Sequence, residues 1–383
     1  MLARTEGAPA GTRGLSLFIV PKFLPAADGT PGERNGFKCV GLEEKMGIHG
    51  NATCFMSYEG ATGWLLGEET KGLRQMFVMM NEARLGVAVQ GLAQAEAAYQ
   101  AAARFARERL QGRALTGPQN PDGPADPIVV HPDVRRMLMD CKAVIEGGRA
   151  LLFWTILHQD VERGSTDEAE RQKADDVVQM LTPVVKSFLT DRGFQICSDA
   201  LQVHGGSGYT THFPAAQNLR ESRNAMIYEG TNGVQALDLV GRKLPANGGR
   251  AMMAFLAELD AFAAEPADEA LAPFVEGVKS AKAQLQEASL WLLQNGVANP
   301  DAAAASSHDY LNLLALAGLA YMWARMAKAA QAKIAAGDAD PFFANKLATG
   351  RYFLERVLPE AGAHLAKVKT GAGPVMALAA EAF

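Results

Sequence analysis

The chain has 383 residues, and 37 Lys and Arg against 42 Asp and Glu give a net charge of −5. This length predicts two or three domains, each able to bury a core, and excludes a small disulfide-stapled module. No basic block of the kind that follows a phosphate backbone is present, so a nucleic-acid partner is not expected.

Four cysteines are spaced singly, without a CxxC pair: Cys39, Cys54, Cys141 and Cys197. Such cysteines are typical of buried free thiols in a reducing compartment, so we expect a cytoplasmic protein with no metal site. The longest apolar stretch, Tyr310 to Ala324, is too short to cross a bilayer and contains Asn312. No membrane span is therefore predicted.

The first 70 residues have the alternation of a sheet. Predicted strands at 15–20, 36–42 and 53–58 are rich in Val, Ile, Phe, Tyr and Thr, and turn-forming residues separate them. These strands are too few to close a domain by themselves, and the chain reaches the first of them almost at once. We therefore expect residues 1–70 to be the remainder of a β domain, in a chain that looks truncated at its amino terminus.

Helical periodicity begins after Gly72 and defines a second predicted domain at 71–244. The capping residues Ser165 and Asp167 mark one break between helices, and a Pro- and Gly-rich loop at 116–127 marks another. The predicted helices are 73–112, 133–163, 166–203 and 215–242.

The composition becomes Ala-rich beyond Pro245, which predicts an added helical bundle at 245–383 with Gly248-Gly249 as its linker. This bundle contains no polar constellation of catalytic type. Its predicted helices are 249–264, 271–296, 302–336 and 341–358. The fold class predicted for the whole chain is mainly α with a small β part.

Residues that carry chemistry concentrate between positions 201 and 235. No P-loop and no His-Glu-x-x-His motif occur, and the cluster Gly205–Gly208 lacks the preceding strand of a dinucleotide fingerprint. Taken alone, this cluster is typical of a helix end. It is followed, however, by Leu-Arg-Glu-Ser-Arg at 219–223 and by Ile-Tyr-Glu-Gly-Thr-Asn-Gly at 227–233. The three elements in this order form a compound signal.

This compound signal resembles the carboxy-terminal helical domain of the acyl-CoA dehydrogenase family, flavoproteins that desaturate acyl-CoA thioesters. The resemblance covers about residues 12–244 and includes Lys-Met-Gly-Ile-His-Gly at 45–50. The local sequence around these motifs is most similar to the subgroup that includes 3-(methylthio)propionyl-CoA dehydrogenase. Members of this subgroup carry an extra carboxy-terminal helical domain. The resemblance implies an acyl-CoA dehydrogenase-like fold, with a partial β domain, a helical-bundle domain and that extra helical domain.

Glu229 is the candidate catalytic base. Desaturation beside a thioester needs a base for the α-proton and an acceptor for the β-hydride, and a carboxylate serves as a base in an apolar pocket. In the family that the chain resembles, the glutamate at this position is the base in many members, and its N–H helps to hold the thioester oxygen. Without the flanking motifs, Glu229 is instead interpreted as a first-turn helix carboxylate.

The resemblance implies an acyl-CoA substrate. Asn81 and Arg84 lie where the family has a polar residue and an arginine for the coenzyme A portion. Gly230 leaves the backbone beside the base open to close approach. The candidate substrate-binding residues are therefore Asn81, Arg84 and Gly230.

The resemblance also implies FAD as the cofactor. Arg109 lies 25 residues after Arg84, as the flavin-pyrophosphate arginine does in typical members, although from the residues alone it could equally be a solvated helix arginine. Gln202 begins a Gln-x-x-Gly-Gly element that, in the family, reaches the flavin of a neighbouring subunit. The candidate cofactor-binding residues are Arg109, Gln202, Gly205, Gly206 and Thr231.

Three departures from the family pattern affect the interpretation. Leu-Gln-Gly-Arg replaces the usual Lys-Thr-Phe-Gly after Arg109 and is followed by the Pro-rich loop, so this loop must be rebuilt. Gly233 lies where many members have glutamine or glutamate. The amino-terminal helical domain and the Trp-containing β segment that packs on the flavin have no counterpart in the sequence, which is therefore expected to correspond to the carboxy-terminal two thirds of such an enzyme.

The leading hypothesis is FAD-dependent α,β-dehydrogenation of an acyl-CoA thioester, either 3-(methylthio)propionyl-CoA or a short- or medium-chain fatty acyl-CoA. Glu229 would take the α-proton, the flavin would accept the β-hydride, and an electron-transfer flavoprotein would take the electrons from a homo-oligomer, a dimer or a tetramer. Two alternatives remain open, an acyl-CoA oxidase with the same site and a truncated, non-catalytic helical subunit that supports oligomerisation.

Overall fold

The computed structural model describes residues 1–383 and divides them into two compact units, Met1–Arg84 and Leu85–Phe383. The first unit contains all seven strands, and the second contains most of the helical chain. The predicted fold class, mainly α with a small β part, is confirmed.

The first unit is built from three small antiparallel sheets. β2 lies between β1 and β7, β3 pairs with β4, and β5 pairs with β6. The three strands predicted from the alternation are present as β2, β5 and β6, and the four that were missed have only three or four residues each. The strands are β1 (Leu2–Arg4), β2 (Leu15–Ile19), β3 (Phe23–Pro25), β4 (Pro31–Arg34), β5 (Phe37–Leu42), β6 (Cys54–Tyr58) and β7 (Trp64–Leu66).

The helices follow the predicted pattern closely up to residue 204 and again between residues 250 and 335. They differ from it at 215–242 and after residue 352. Asp167 caps α3 as predicted, because its carboxylate accepts from the N–H groups of Ala169 and Glu170. The helices are α1 (Gly72–Glu108), α2 (Pro132–Gly164), α3 (Glu168–His204), α4 (Ala215–Ala225), α5 (Asn232–Asp238), α6 (Arg250–Ala263), α7 (Ala272–Gly296), α8 (Pro300–Ala335), α9 (Pro341–Tyr352) and α10 (Glu360–Thr370).

The continuous helix predicted at 215–242 is wrong. It is divided into α4, a turn, α5 and a π-helical turn at Leu239–Lys243. The break occurs because Glu229 and Gly230 both have positive φ, which a right-handed helix does not allow. The helix predicted at 341–358 is present as α9 continued by a π-helical turn at Phe353–Val357, whereas α10 was missed.

The core of the second unit is centred on α8. All but a few of its residues between Ser306 and Ala330 are buried, and it contacts α2, α3, α5, α7, α9 and α10. The Trp323 indole N–H donates to the Ala143 carbonyl on α2 over 3.2 Å. A Cβ on Gly147 would lie 2.6 Å from that indole nitrogen, so glycine permits the contact. Helices on the two sides of the predicted boundary at 244 therefore share one core.

The helices α1 and α3 approach each other closely at a pair of glycines. A Cβ on Gly91 would lie 2.8 Å from the Leu189 carbonyl oxygen, and a Cβ on Gly193 would lie 2.7 Å from the Gly91 carbonyl oxygen. No side chain larger than hydrogen fits between the two backbones there. This contact fixes α1 against α3, the two helices that support the candidate site.

Asp126 organises the Pro-rich loop that follows α1. Its carboxylate is fully buried and accepts from the backbone N–H groups of Ala114, Gln119 and Asn120 over 2.7 to 3.0 Å, with Arg113 at 3.4 Å. Burial acts to raise its pKa, but the three backbone donors and the Arg113 charge outweigh burial and lower the pKa to about 2. The loop is therefore folded around an ionised carboxylate.

The prediction of buried thiols is confirmed for two of the four cysteines and wrong for the other two. Cys141 and Cys197 are buried on α2 and α3, whereas Cys39 and Cys54 are exposed on the two-stranded sheet of β5 and β6. Burial raises the pKa of the Cys197 thiol to about 11 and raises that of Cys141 as well. All four are free cysteines.

None of the helices is long and apolar enough to cross a membrane. No group of three or more His, Cys, Asp and Glu side chains is arranged to hold a metal ion.

Maleimide labelling of the native chain should modify Cys39 and Cys54 at least tenfold faster than Cys141 and Cys197, because a buried protonated thiol is a poor nucleophile. Peptide mass spectrometry measures the four rates, and labelling in denaturant, where all four should react, is the control. Equal native rates at Cys39 and Cys141 would contradict the burial of α2.

The pH dependence of the loop should follow Asp126. Since its pKa is lowered to about 2 from 3.8, its contribution to stability is complete above pH 3.8 and is lost as the pH falls toward 2. The amide resonances of Ala114, Gln119 and Asn120 should titrate with a midpoint at about pH 2, the pKa of Asp126 in the folded loop. Asp126→Asn should make the loop sensitive to protease at neutral pH, while Asp122→Asn, in the same loop and exposed, should not. A resistant Asp126→Asn loop would refute this role.

Candidate active site

The turn between α4 and α5 holds Glu229 in an unusual backbone conformation. Glu229 has φ +59° and Gly230 has φ +89°, so two successive residues are left-handed. Such a conformation is uncommon for a residue with a Cβ and persists where the surroundings enforce it. Glu229 is half-buried and precedes α5, whose first residue is Asn232 and whose N-cap is Thr231. It is therefore not a first-turn helix carboxylate.

Two fully buried side chains bind the carbonyl groups of this turn. The Lys186 ammonium on α3 donates to the Gly230 carbonyl over 2.8 Å. The Gln235 amide on α5 donates to the Glu229 and Gly230 carbonyls, over 3.1 Å in each case. The carbonyl oxygens of both left-handed residues are thus directed into the protein.

Asn232 links the turn to the same segment of α3. Its side-chain oxygen accepts from Lys186 over 2.9 Å, and its amide donates to the Asp191 carboxylate over 2.7 Å and to the Thr190 hydroxyl over 3.0 Å. Burial raises the pKa of Asp191. The ammonium and the carboxylate are therefore joined through one buried amide, which satisfies a polar network in the core.

Tyr228 ties the other side of the turn to α1. Its hydroxyl donates to the side-chain oxygen of Gln90, one residue before the Gly91 contact with α3. Burial raises the pKa of Tyr228, and the neighbouring Glu229 charge adds to the effect. The turn is consequently fixed to both α1 and α3.

The glycine corner ends α3 and leaves its backbone accessible. Gly205 has φ +57° and its N–H donates to the Gln202 carbonyl, so the corner is a helix terminator. A Cβ on Gly205 or Gly206 would meet no atom within 4 Å, and Gln202 is exposed. The surface above these glycines is open.

Arg109 lies at the same end of the α1 and α3 pair as the glycine corner. It follows α1 directly, and its N–H donates to the Phe105 carbonyl over 2.8 Å. The Phe105 ring packs on the ring of His204, the residue before Gly205, with 4.6 Å between centroids. The Arg109 side chain is exposed and makes no hydrogen bond or ion pair.

The structure divides the candidate residues of the second unit into two groups. Gln90, which binds Tyr228, and Phe105, which supports the glycine corner, are fifteen residues apart on α1, or about 22 Å along the helix axis. Glu229, Gly230 and Thr231 therefore form one group. Arg109 and the corner residues Gln202, Gly205 and Gly206 form the other.

The remaining two candidates belong to the first unit. Asn81 is half-buried on α1. Arg84 is 6% exposed, and its guanidinium lies over the Phe77 ring, 5.5 Å from the centroid. A guanidinium stacked on a ring about two helical turns away is held in a defined orientation.

The sequence interpretation missed Lys186, Gln235 and Asn232. The signal for Lys186 was present, because it lies in the run Leu-Thr-Pro-Val-Val-Lys-Ser-Phe-Leu at 181–189, where a charge falls within an otherwise apolar part of a helix. A charge at such a position needs a buried partner, and the partner was not identifiable from the sequence.

Comparison with protein-family models gives two matches. Residues 70–244 match the acyl-CoA dehydrogenase C-terminal domain, and residues 255–379 match a domain described as acetyl-CoA dehydrogenase C-terminal like. The two matched regions together cover most of the chain.

Curated relatives match nearly the full length of the chain. The 3-methylmercaptopropionyl-CoA dehydrogenase of Ruegeria pomeroyi is 40% identical over 96% of this chain and 62% of its own length. The broad-specificity linear acyl-CoA dehydrogenase FadE5 of Mycobacterium tuberculosis is 33% identical over 94% of this chain and 61% of its own length. The chain thus spans about three fifths of the length of these two relatives.

Solved structures share the fold. The acyl-CoA dehydrogenase of Bacillus anthracis, complexed with FAD, matches with a TM-score of 0.74 at 20% identity, over 96% of this chain and 60% of that one. Caenorhabditis elegans ACDH-11 matches with a TM-score of 0.73 at 20% identity, over 91% of this chain and 54% of that one. The family-model matches, the relatives and the fold agree, and the chain belongs to the acyl-CoA dehydrogenase family.

Proposed function

We propose that the chain provides the catalytic base of an FAD-dependent acyl-CoA dehydrogenase, with Glu229 as that base. The observation that supports this role most directly is the left-handed turn at Glu229 and Gly230, whose carbonyl groups are bound by buried side chains. An uncommon backbone conformation that the surroundings enforce is typical of functional sites. It occurs here at the glutamate that the resemblance to the family implies as the base.

The chemistry asked of Glu229 is removal of the substrate α-proton. A half-buried carboxylate carried on a fixed backbone is partly shielded from water and can be held within reach of this proton. Gly230 adds no side chain next to the base, so a thioester can approach the backbone closely. We further propose that the Glu229 N–H binds the thioester oxygen and stabilises the negative charge that develops there.

The residues of the glycine corner fit a bound diphosphate of FAD. Gly205 and Gly206 expose backbone with no atom where a Cβ would lie, and the exposed Arg109 guanidinium has no ion-pair partner in the chain. Backbone N–H groups and a planar guanidinium are the usual ligands of phosphate oxygens. Bound FAD would supply the acceptor for the β-hydride. Thr231, exposed beside the base, is the proposed flavin contact in the other group.

A homo-oligomer is part of this proposal. The glycine corner and the base lie at positions about 22 Å apart along α1, which is consistent with a corner that serves the flavin of a neighbouring subunit. A dimer or tetramer would provide this arrangement. An electron-transfer flavoprotein is the proposed electron acceptor, and the four free cysteines favour a cytoplasmic location.

The substrate is proposed to be an acyl-CoA thioester with a short or medium acyl group, and 3-(methylthio)propionyl-CoA is the first candidate. The name of the Ruegeria pomeroyi relative, at 40% identity, supports this choice. Asn81 and Arg84 are the proposed contacts for the coenzyme A portion. The proposed domain division, 1–70, 71–244 and 245–383, is supported by the family-model matches to 70–244 and 255–379.

Glu229→Gln should lower turnover of the flavin-loaded protein by about a thousandfold, because an amide cannot accept the α-proton. Reduction of an artificial dye by 3-(methylthio)propionyl-CoA or butyryl-CoA measures turnover. Glu221→Gln, a carboxylate on α4 bound by Gln217, is the matched control and should stay within twofold.

Undiminished turnover in Glu229→Gln would eliminate Glu229 as the base. The same assay under air, with peroxide measured, distinguishes a dehydrogenase from an oxidase. An oxidase would release one molecule of hydrogen peroxide for each molecule of substrate. A flavin-free protein that assembles with a full-length homologue would favour the non-catalytic alternative.

Arg109→Gln should weaken FAD binding by about tenfold or more, since it removes a charge-assisted hydrogen bond to phosphate. Equilibrium dialysis of the flavin measures the dissociation constant. Arg107→Gln, also exposed and in the last turn of α1, is the control and should have a much smaller effect. An equal loss in both variants would show that Arg109 contributes general charge alone.

A further inference from the structure

The Lys186 ammonium is buried below the proposed base and has no exposed surface. A buried cation is costly unless its donors are paired, so the positions of its partners are constrained. Those partners include the Gly230 carbonyl and the Asn232 side-chain oxygen, at 2.8 and 2.9 Å. The first belongs to the turn that carries Glu229, and the second is the first residue of α5, which follows that turn.

Gln235 on α5 also binds the carbonyl groups of the turn that Lys186 binds from α3. Its amide nitrogen donates to the Glu229 and Gly230 carbonyls, and its own side-chain oxygen is buried without a partner. The two hydrogen bonds that the amide nitrogen donates therefore set the orientation of the Gln235 side chain, and its oxygen accepts none. An orphaned buried oxygen is an unfavourable arrangement that the two carbonyl contacts must outweigh.

The hydrogen bonds from Lys186 and Gln235 oppose the return of Glu229 to a right-handed or extended backbone conformation. A glutamate with φ +59° can return to the favoured region by rotating its peptide groups, which would swing the two carbonyls out of the protein. That rotation would leave the Lys186 ammonium and the Gln235 amide without these acceptors. It would also redirect the Cα–Cβ bond and displace the carboxylate.

We propose that Lys186 and Gln235 are positioning residues for Glu229: by binding the carbonyls of the turn, they hold the base in the left-handed conformation in which it reacts. This inference rests on the proposed role of Glu229. Asn232 and Asp191 keep the ammonium in place. The Asn232 side-chain oxygen accepts from the Lys186 ammonium over 2.9 Å, and its amide nitrogen donates to the Asp191 carboxylate on the same helix over 2.7 Å. A displacement of the base by about 1 Å is enough to cost a hundredfold in rate.

The backbone test uses hydrogen exchange of the chain itself, without flavin. Lys186→Met should speed exchange of the amides at 229–235 by about tenfold or more, since the turn loses its buried donor. Gln235→Leu should act in the same direction and serves where Lys186→Met folds poorly. Thr182→Val, which removes a buried hydroxyl bonded within α3 itself, is the matched control and should leave these amides unchanged.

Repeating Lys186→Met in the Glu229→Gly background separates positioning from general stability. Glycine adopts the left-handed conformation without a steric cost, so the turn should then need no donor and its exchange should change little. An equal acceleration in both backgrounds would overturn the proposal, because the lysine would then support the fold generally and not the strained residue.

The kinetic test uses the flavin-loaded protein. Lys186→Met and Gln235→Leu should lower kcat by about tenfold or more with KM within threefold, whereas Thr182→Val should change neither. If Glu229→Gln abolishes turnover while Lys186→Met and Gln235→Leu retain wild-type kcat, the positioning role is refuted, and the proposed role of Glu229 as the base is retained. If Glu229→Gln retains turnover, the base fails and the positioning role fails with it, even where exchange at 229–235 responds as expected.

Discussion

The hydrogen bond from the buried Lys186 ammonium to the Gly230 carbonyl is the interaction on which the candidate site depends. An ammonium with no exposed surface can be accommodated only where acceptors face it, so α3 and the turn before α5 are held in register. The same bond orients the carbonyl of a left-handed residue. The interaction therefore links helix packing to the backbone conformation of Glu229.

The long helices position this interaction with little freedom. α1 and α3 meet at Gly91 and Gly193, where only hydrogen fits between the backbones, and α8 packs on α2 through Trp323 and Gly147. Because interiors are close-packed, a shift of α3 would be transmitted to the turn. The helical tail after residue 245 thus supports the site through the core that it shares with α2 and α3.

Much of this structure could be predicted from the sequence, and the failures have physical causes. The capped helix α3 and the glycine corner have local signals, namely a capping Asp and clustered glycines. The Glu229 turn was missed, because it falls within the helix predicted at 215–242, although Gly230 offers a local turn signal. The π-helical turn at Leu239–Lys243 has none, because its apolar residues also fit an ordinary helix. The exposure of Cys39 depends on which sheet face is covered, and the partners of Lys186 depend on tertiary contacts, so neither was accessible from one sequence.

The central claim is that the left-handed turn presents Glu229 to the carbon next to a thioester. A crystal structure of the flavin-loaded protein with a non-reactive acyl-CoA thioether tests it most directly. The account predicts a Glu229 carboxylate oxygen within about 3.5 Å of that carbon, with the Gly230 carbonyl still bound by Lys186. A different carboxylate at that carbon, or Glu229 turned away from the acyl group, would contradict it.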